Sequence, residues 1–186
     1  MDALKESICL HREALSLIPE GHPERIFSLN NLAFALNTHY NQSGSTDELI
    51  ESIYLYREAI ALCPQGHTAR SFLLKNLAVA LSTKYNQSGH TDALTESISL
   101  YREALALQPQ GHPGRGSSLR DLCNACISHY HLHRNEDILH TALAYAEELL
   151  DIRPHGHPER QDIYHLIARI RPVSYTHLTL PTNREV

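Results

Sequence analysis

The sequence predicts an all-α chain, folded as a right-handed superhelical solenoid of antiparallel helix pairs. Three observations predict it. A Gly-His pair recurs at Gly21-His22, Gly66-His67, Gly111-His112 and Gly156-His157, once every 45 residues. The intervening sequence recurs too: residues 21–65 align without a gap to 66–110, with roughly two-thirds of the positions identical. Apolar residues return at three- and four-residue steps, the helical spacing, and nothing before about residue 172 alternates like a strand. A fixed period of this length marks units that bury their apolar faces only against their neighbours.

The elements follow in order. DALKESICLHREALSLIPE at 2–20 matches DALTESISLYREALALQPQ at 92–110, so Met1 falls in the middle of a repeat. The segment 1–20 is therefore expected to hold only the second helix of a unit, at about 2–18, and the chain reads as part of a longer array. Complete units are expected at 21–65, 66–110 and 111–155. Residues 156–171 begin another, with one helix at about 158–171.

The unit 66–110 serves as the pattern. The column after each Gly-His pair reads Pro23, Thr68, Pro113 and Pro158, and proline suits a helix's first turn, where no amide donor is needed. Leu73, Leu74, Leu77, Ala78, Leu81 and Tyr85 form the apolar stripe of the first helix. Asn86-Gln87-Ser88-Gly89 is expected to break it, with Gly89 in the left-handed conformation. Thr91-Asp92 is expected to open the second helix with a capping side chain and an acidic charge at its positive end. Leu94, Ile98, Tyr101, Leu105 and Leu107 give its stripe, Pro109 stops it, and Gly111 turns the chain onward. Each helix should run about 16–18 residues, or about 25 Å.

Composition narrows the function. The formal charge of −5 lacks the basic face of a general nucleic-acid binder. No run approaches the about 20 apolar residues of a membrane-spanning helix, and the N-terminus has no signal-peptide pattern. Cys9, Cys63, Cys123 and Cys126 form no secreted disulfide framework, so a reducing, cytoplasmic setting is expected.

The second helix carries Ser52, Tyr56, Ala59 and Pro64, repeated as Ser97, Tyr101, Ala104 and Pro109. The first carries Leu32-Ala33 and Leu36, repeated as Leu77-Ala78 and Leu81. This ladder resembles the tetratricopeptide repeat (TPR), in a long form similar to the kinesin-light-chain type and to fungal arrays found beside nucleotide-binding or CHAT protease domains. The unit departs from the usual pattern in its greater length.

The resemblance implies a non-catalytic module that grips a peptide or protein on a concave face of first helices, within a larger multidomain protein. It also implies an alternative, in which the array is the sensor arm of an enzyme such as a CHAT protease or a nucleotide-dependent switch. No cofactor is expected, and no nucleic-acid or membrane partner. By the same resemblance the face contains Phe27, Asn30, Asn31, Phe34 and Asn37, then Phe72, Lys75, Asn76, Val79 and Ser82. In the third unit it contains Ser117, Arg120, Asp121, Asn124 and Ile127. Lys75 and Arg120 share a column and offer a cation to a partner carboxylate. Asn31 and Asn76 admit two readings, as ligands of a peptide backbone or as ties between neighbouring helices.

Other clusters read as structure. The four junction histidines recur once per unit beside a helix start, too widely spaced for shared coordination. His129 and His133 share a helix face, with His140 as the nearest candidate third ligand for Zn²⁺ or Ni²⁺, but three or four ligands are needed and drift of a polar helix end explains the cluster. Cys123 and Cys126 spell C-x-x-C, yet they occupy the columns of Ala33 and Leu36, so they read as core. Glu58 and Glu103 read as solvated charges. No nucleophile–base pair, phosphate loop or metalloprotease motif appears, so no catalytic residue and no metal site are assigned.

After Arg171 the pattern fails. Residues 172–186 match no repeat column, and Pro172 is expected to stop the helix. The stretch VSYTHLTLPTNREV resembles translated adaptor sequence, with a genuine disordered tail as the alternative. Without a second helix behind it, an uncovered apolar face is expected at Leu166, Ile167 and Ile170.

Overall fold

The structure, a computed structural model, describes residues 3–175, and among these it contains eight α-helices and no strand. They are α1 (Ala3–Leu17), α2 (Arg25–Ser43), α3 (Thr46–Leu62), α4 (Arg70–Ser88), α5 (Thr91–Ala106), α6 (Arg115–His133), α7 (Glu136–Asp151) and α8 (Glu159–Tyr175). Even-numbered helices are the first helices of their units, odd-numbered ones the second. The helix order agrees with the periodic reading.

The first helices are longer than expected, at 19 residues in α2, α4 and α6. Asn-Gln-Ser stays helical, and the glycine alone ends the element. Gly44 and Gly89 sit at φ 72° and 71°, with their N–H groups donating to Tyr40 and Tyr85 carbonyls at 2.8 Å. That left-handed cap suits a residue without Cβ. In the third unit Arg134 holds the same place at φ 54°.

Each Gly-His junction is a helix cap. The Nδ1 atoms of His22, His67, His112 and His157 accept the backbone N–H two residues on, at 3.2, 3.1, 3.0 and 3.2 Å. The carbonyl of each histidine accepts the N–H of Arg25, Arg70, Arg115 or Arg160 at 3.0 Å. The first amide donor of α2, α4 and α6, and the N–H of the residue just before it, are thus satisfied. The expected cap from Thr91 does not form: the cap positions of α3 and α5 are Ser45 and His90, and neither makes a side-chain cap bond. Among the second helices whose cap position is described, α7 has one of this kind, Asn135 accepting from the Asp137 N–H at 2.9 Å. Leu107 also departs from expectation. It falls just past the end of α5, 42% exposed, and so does not join the buried stripe.

The chain divides into two compact units, Met1–Pro109 and Gln110–Val186. In the first, α2 pairs with α3 and α4 with α5, while α1 lies on α2, α3 on α4, and α2 also touches α4. Its core holds Leu29, Leu32, Leu36, Leu49, Tyr56 and Leu73, with Ala33 and Ala59 keeping the helices close. Each such leucine stabilises by about 1.5–3 kcal/mol through burial.

In the second unit α6 packs on α7 and α7 on α8. Cys123 and Cys126 are fully buried there, as their columns require. The Cys123 thiol donates to the Ala142 carbonyl at 3.4 Å, and desolvation pushes its pKa up to about 12.

The last helix corrects two expectations. α8 continues through Pro172 to Tyr175, since a proline near the helix end removes one intrahelical bond without stopping the turn. Residues 176–186 lie outside the described residues, as does the reading of them as adaptor sequence. Leu166, Ile167 and Ile170 are buried, not uncovered. The open stripe of α8 is instead Tyr164 and Ala168. Tyr164 is 52% exposed, whereas the equivalent Leu29, Leu74 and Leu119 are at most 1% exposed beneath their own second helices. Ala168 is likewise exposed where Ala33, Ala78 and Cys123 are buried.

Candidate partner-binding faces

In the first unit the predicted residues gather on α2 and α4, the two first helices that touch. Phe27, Asn31 and Phe34 follow one another at four and three residues along α2, which aligns them on one exposed stripe. Phe72 holds the Phe27 column on α4, followed by the part-exposed Lys75, Asn76 and Val79. The sequence contains three phenylalanines, and none is in the core: Phe27, Phe34 and Phe72 are 49, 58 and 50% exposed. Neither α2 nor α4 contains an aspartate or glutamate, while α3 and α5 hold several.

Amides tie this face together. Asn76 Nδ2 donates to Asn30 Oδ1 at 2.9 Å, across from α4 to α2, and Asn30 Nδ2 donates to Asn31 Oδ1 at 3.3 Å. Of the two readings of the asparagine column, Asn76 is therefore a tie between neighbouring helices. Asn30 is its buried acceptor, 5% exposed, while Asn31 stays exposed. Farther along the same helices, Asn37 Oδ1 and Ser82 Oγ are buried without a hydrogen-bond partner. Buried polar atoms normally find partners, so these two acceptors stand out.

In the second unit Arg120 and Asn124 on α6 face α8. With Asp162, Ile163, His165, Leu166 and Arg169 they line a cavity of about 280 Å³. Arg120 already holds a carboxylate, that of Glu159 at 3.0 Å. Glu159 also accepts from Arg153 at 2.8 Å. The Arg153 hydrogen bond leads in holding the Glu159 carboxyl below the usual carboxylate range, with the Arg120 charge assisting. Asp121 is half-buried and does not line the cavity.

The histidine cluster on α6 places the His129 and His133 rings 4.4 Å apart and sets Tyr130 against His131. Among the described residues no three His, Cys, Asp or Glu side chains gather as metal ligands, so His140 does not complete a set. No helix among them is long and apolar enough to cross a membrane.

Sequence reasoning missed one column altogether. Arg25 donates to the Ile18 carbonyl at 3.2 Å and pairs with Glu58 at 3.2 Å. Arg70 donates to the Cys63 carbonyl at 3.2 Å and pairs with Glu103 at 3.3 Å. Arg115 pairs with Glu148 at 2.5 Å. Each guanidinium joins its own second helix, and Arg25 and Arg70 also cap the carbonyl end of the preceding one. Glu58 and Glu103 are thus paired inside the unit, Glu58 half-buried and Glu103 still exposed to water. The signal was present as an arginine and a glutamate each recurring once per period.

The chain is similar over 94% of its length to the crystal structure of nearly identical TPR-like repeats from Podosopora anserina, assigned as a kinesin light chain. The identity is 21%, 80% of that chain is covered, and the TM-score is 0.69. A single-substitution variant of that protein matches at 20% identity over 94% of this chain and 80% of its own, with a TM-score of 0.70. No protein-family model and no curated protein matches the chain. The likeness establishes the fold, an all-α helical repeat solenoid of the TPR-like type.

Proposed function

We propose that the chain is a non-catalytic protein-interaction module, whose first-helix face in the unit Met1–Pro109 holds a peptide or protein segment. TPR-like repeat folds generally serve protein recognition, and the observation that supports a binding face here is the placement of phenylalanine. Burying an aromatic side chain removes 150–250 Å² from water. Three of them left half-exposed on the touching helices α2 and α4 form an apolar surface that a partner would cover. Asn31, exposed between Phe27 and Phe34, supplies a hydrogen-bonding amide beside that surface for a partner's backbone. Lys75 and Val79 flank it. Arg120 and Asn124 belong to the second unit, where Glu159 competes for the arginine.

The test is a peptide library selected on the folded chain. Peptides so obtained should bind Phe34→Ser and Phe72→Ser at least ten-fold more weakly, while Tyr54→Ser on α3, more exposed than either, changes nothing. Thermal melts of the three variants should match the parent. Undiminished binding to both phenylalanine variants would remove the assignment.

A further inference from the structure

Resting on the interaction reading above, we infer that the segment held on α2 and α4 is uncharged and proline-rich, bound as a polyproline II helix. Charge points there first. Ahead of the Asn-Gln-Ser that closes each helix, the exposed residues are Phe27, Asn31 and Phe34 on α2 and Phe72 on α4, none of them charged. Arg25 and Arg70 are part-buried and paired with Glu58 and Glu103, and Lys75 and Lys84 are only part-exposed. Such a surface complements an uncharged segment better than an acidic or a basic one. Phe72, on a helix that α2, α3 and α5 all touch, is as exposed as Phe27, so the exposure belongs to the column.

The polar group of the stripe is an oriented donor. Asn31 Oδ1 accepts from Asn30 Nδ2 at 3.3 Å, and Asn30 is itself held by Asn76 at 2.9 Å. With its oxygen engaged, Asn31 presents Nδ2 to a partner, and that donor calls for a backbone carbonyl. Backbone conformations differ in what they offer it. An α-helix uses its carbonyls internally, so its interior offers none. A β-strand sets the side chains of one face about 7 Å apart. Phe27 and Phe34, seven residues apart on one helix, are separated by about 10 Å along its axis. A polyproline II helix repeats every three residues, about 9 Å, and leaves its carbonyls solvated. Packed helices lie about 8–10 Å apart, so the same repeat fits the step from α2 to α4. Proline itself adds an apolar ring suited to an aromatic surface. It also has no N–H, so docking on α2 and α4, which carry no carboxylate acceptor, buries no unsatisfied donor.

Fluorescence anisotropy of a labelled decaproline peptide, titrated with the whole chain, tests this. Decaproline should bind at least ten-fold more tightly than glycine–serine or glutamate-rich peptides of the same length. A ten-fold rise in salt should change its affinity by less than about two-fold. Phe34→Ser, Phe72→Ser and Asn31→Asp should each weaken it at least ten-fold, while Tyr54→Ser should not. Asn31→Asp keeps the oxygen to which Asn30 donates and removes only the outward donor. Thermal melts check that each variant is folded, and the comparison of peptides on the parent needs no variant. Decaproline binding no tighter than the glycine–serine peptide, tighter binding of the glutamate-rich one, or indifference to Asn31→Asp would each overturn the inference. Library peptides that require Phe34 and Phe72 yet contain no proline-rich run would overturn it too, and would leave the interaction module standing. Library peptides indifferent to both phenylalanines would remove both.

Discussion

Arg134 is the one non-glycine residue with positive φ among those described, and it stands in the column of Gly44 and Gly89. A side chain in the left-handed region costs about 1–2 kcal/mol, partly offset by the lower flexibility of the unfolded chain. Its guanidinium stacks 5.6 Å from the Tyr130 ring, which returns a little more. Arg134→Gly should therefore raise stability by about 0.5 kcal/mol, read as a higher urea midpoint at unchanged slope. The converse change, Gly89→Arg, should lower it by about 1 kcal/mol. Cysteine chemistry gives a second outcome at this scale. Cys63, Cys123 and Cys126 are buried, and desolvation raises the pKa of Cys63 and Cys123, while Cys9 is exposed. An aromatic disulfide reagent at pH 8 should thus label one thiol rapidly in the native chain and the other three only on addition of denaturant.

Among elements, the arginine–glutamate pairs differ in kind from the exposed ones that link neighbouring second helices. Arg57 pairs with Glu96 at 2.9 Å, yet their side chains are 55 and 41% exposed, so water competes. Arg57→Ala should change stability by less than about 1 kcal/mol. Arg70 has a side chain only 13% exposed and donates to a helix-terminal carbonyl as well as to Glu103. Arg70→Met should cost about 1.5–3 kcal/mol, because the carbonyl it caps is left without that donor. Equal urea midpoints for the two variants would contradict this. The same contrast explains what was legible beforehand. Helix order and core columns follow from the 3.6-residue period of a single unit, so Leu73, Leu77, Leu94 and Tyr101 were readable. The role of Arg70 was not, since its acceptor is a backbone carbonyl of the preceding helix and carries no side-chain signature. Leu166, Ile167 and Ile170 were misjudged for a related reason. A first helix has two apolar stripes, one toward the preceding helix and one toward its own partner, and periodicity does not say which is which. On the candidate face, the column of Asn31 and Asn76 was visible, but the bond from Asn76 to Asn30 depends on how α4 settles against α2.

At the scale of the whole molecule, stability should be close to a sum of local terms, because every helix within a unit rests only on near neighbours in sequence. The four junction histidines make that measurable. Each forms the same bond, from a backbone N–H to Nδ1, at a separate place along the chain. Removing one such cap should cost about 1 kcal/mol, and caps that share no partner should add. His67→Ala alone is then expected to lose about 1 kcal/mol, and the pair His22→Ala with His67→Ala about twice that, in urea titrations of the full chain. Asparagine offers an oxygen acceptor of similar reach and is a favoured cap residue. The corresponding pair of His→Asn changes should therefore retain most of the stability that the alanine pair loses. If both pairs were equally destabilised, the imidazoles would be acting through ring packing, such as the Phe27–His67 contact at 6.4 Å, and not as caps. If the paired loss far exceeded the sum, the junctions would be coupled over a repeat length, which a chain of nearest-neighbour contacts does not allow.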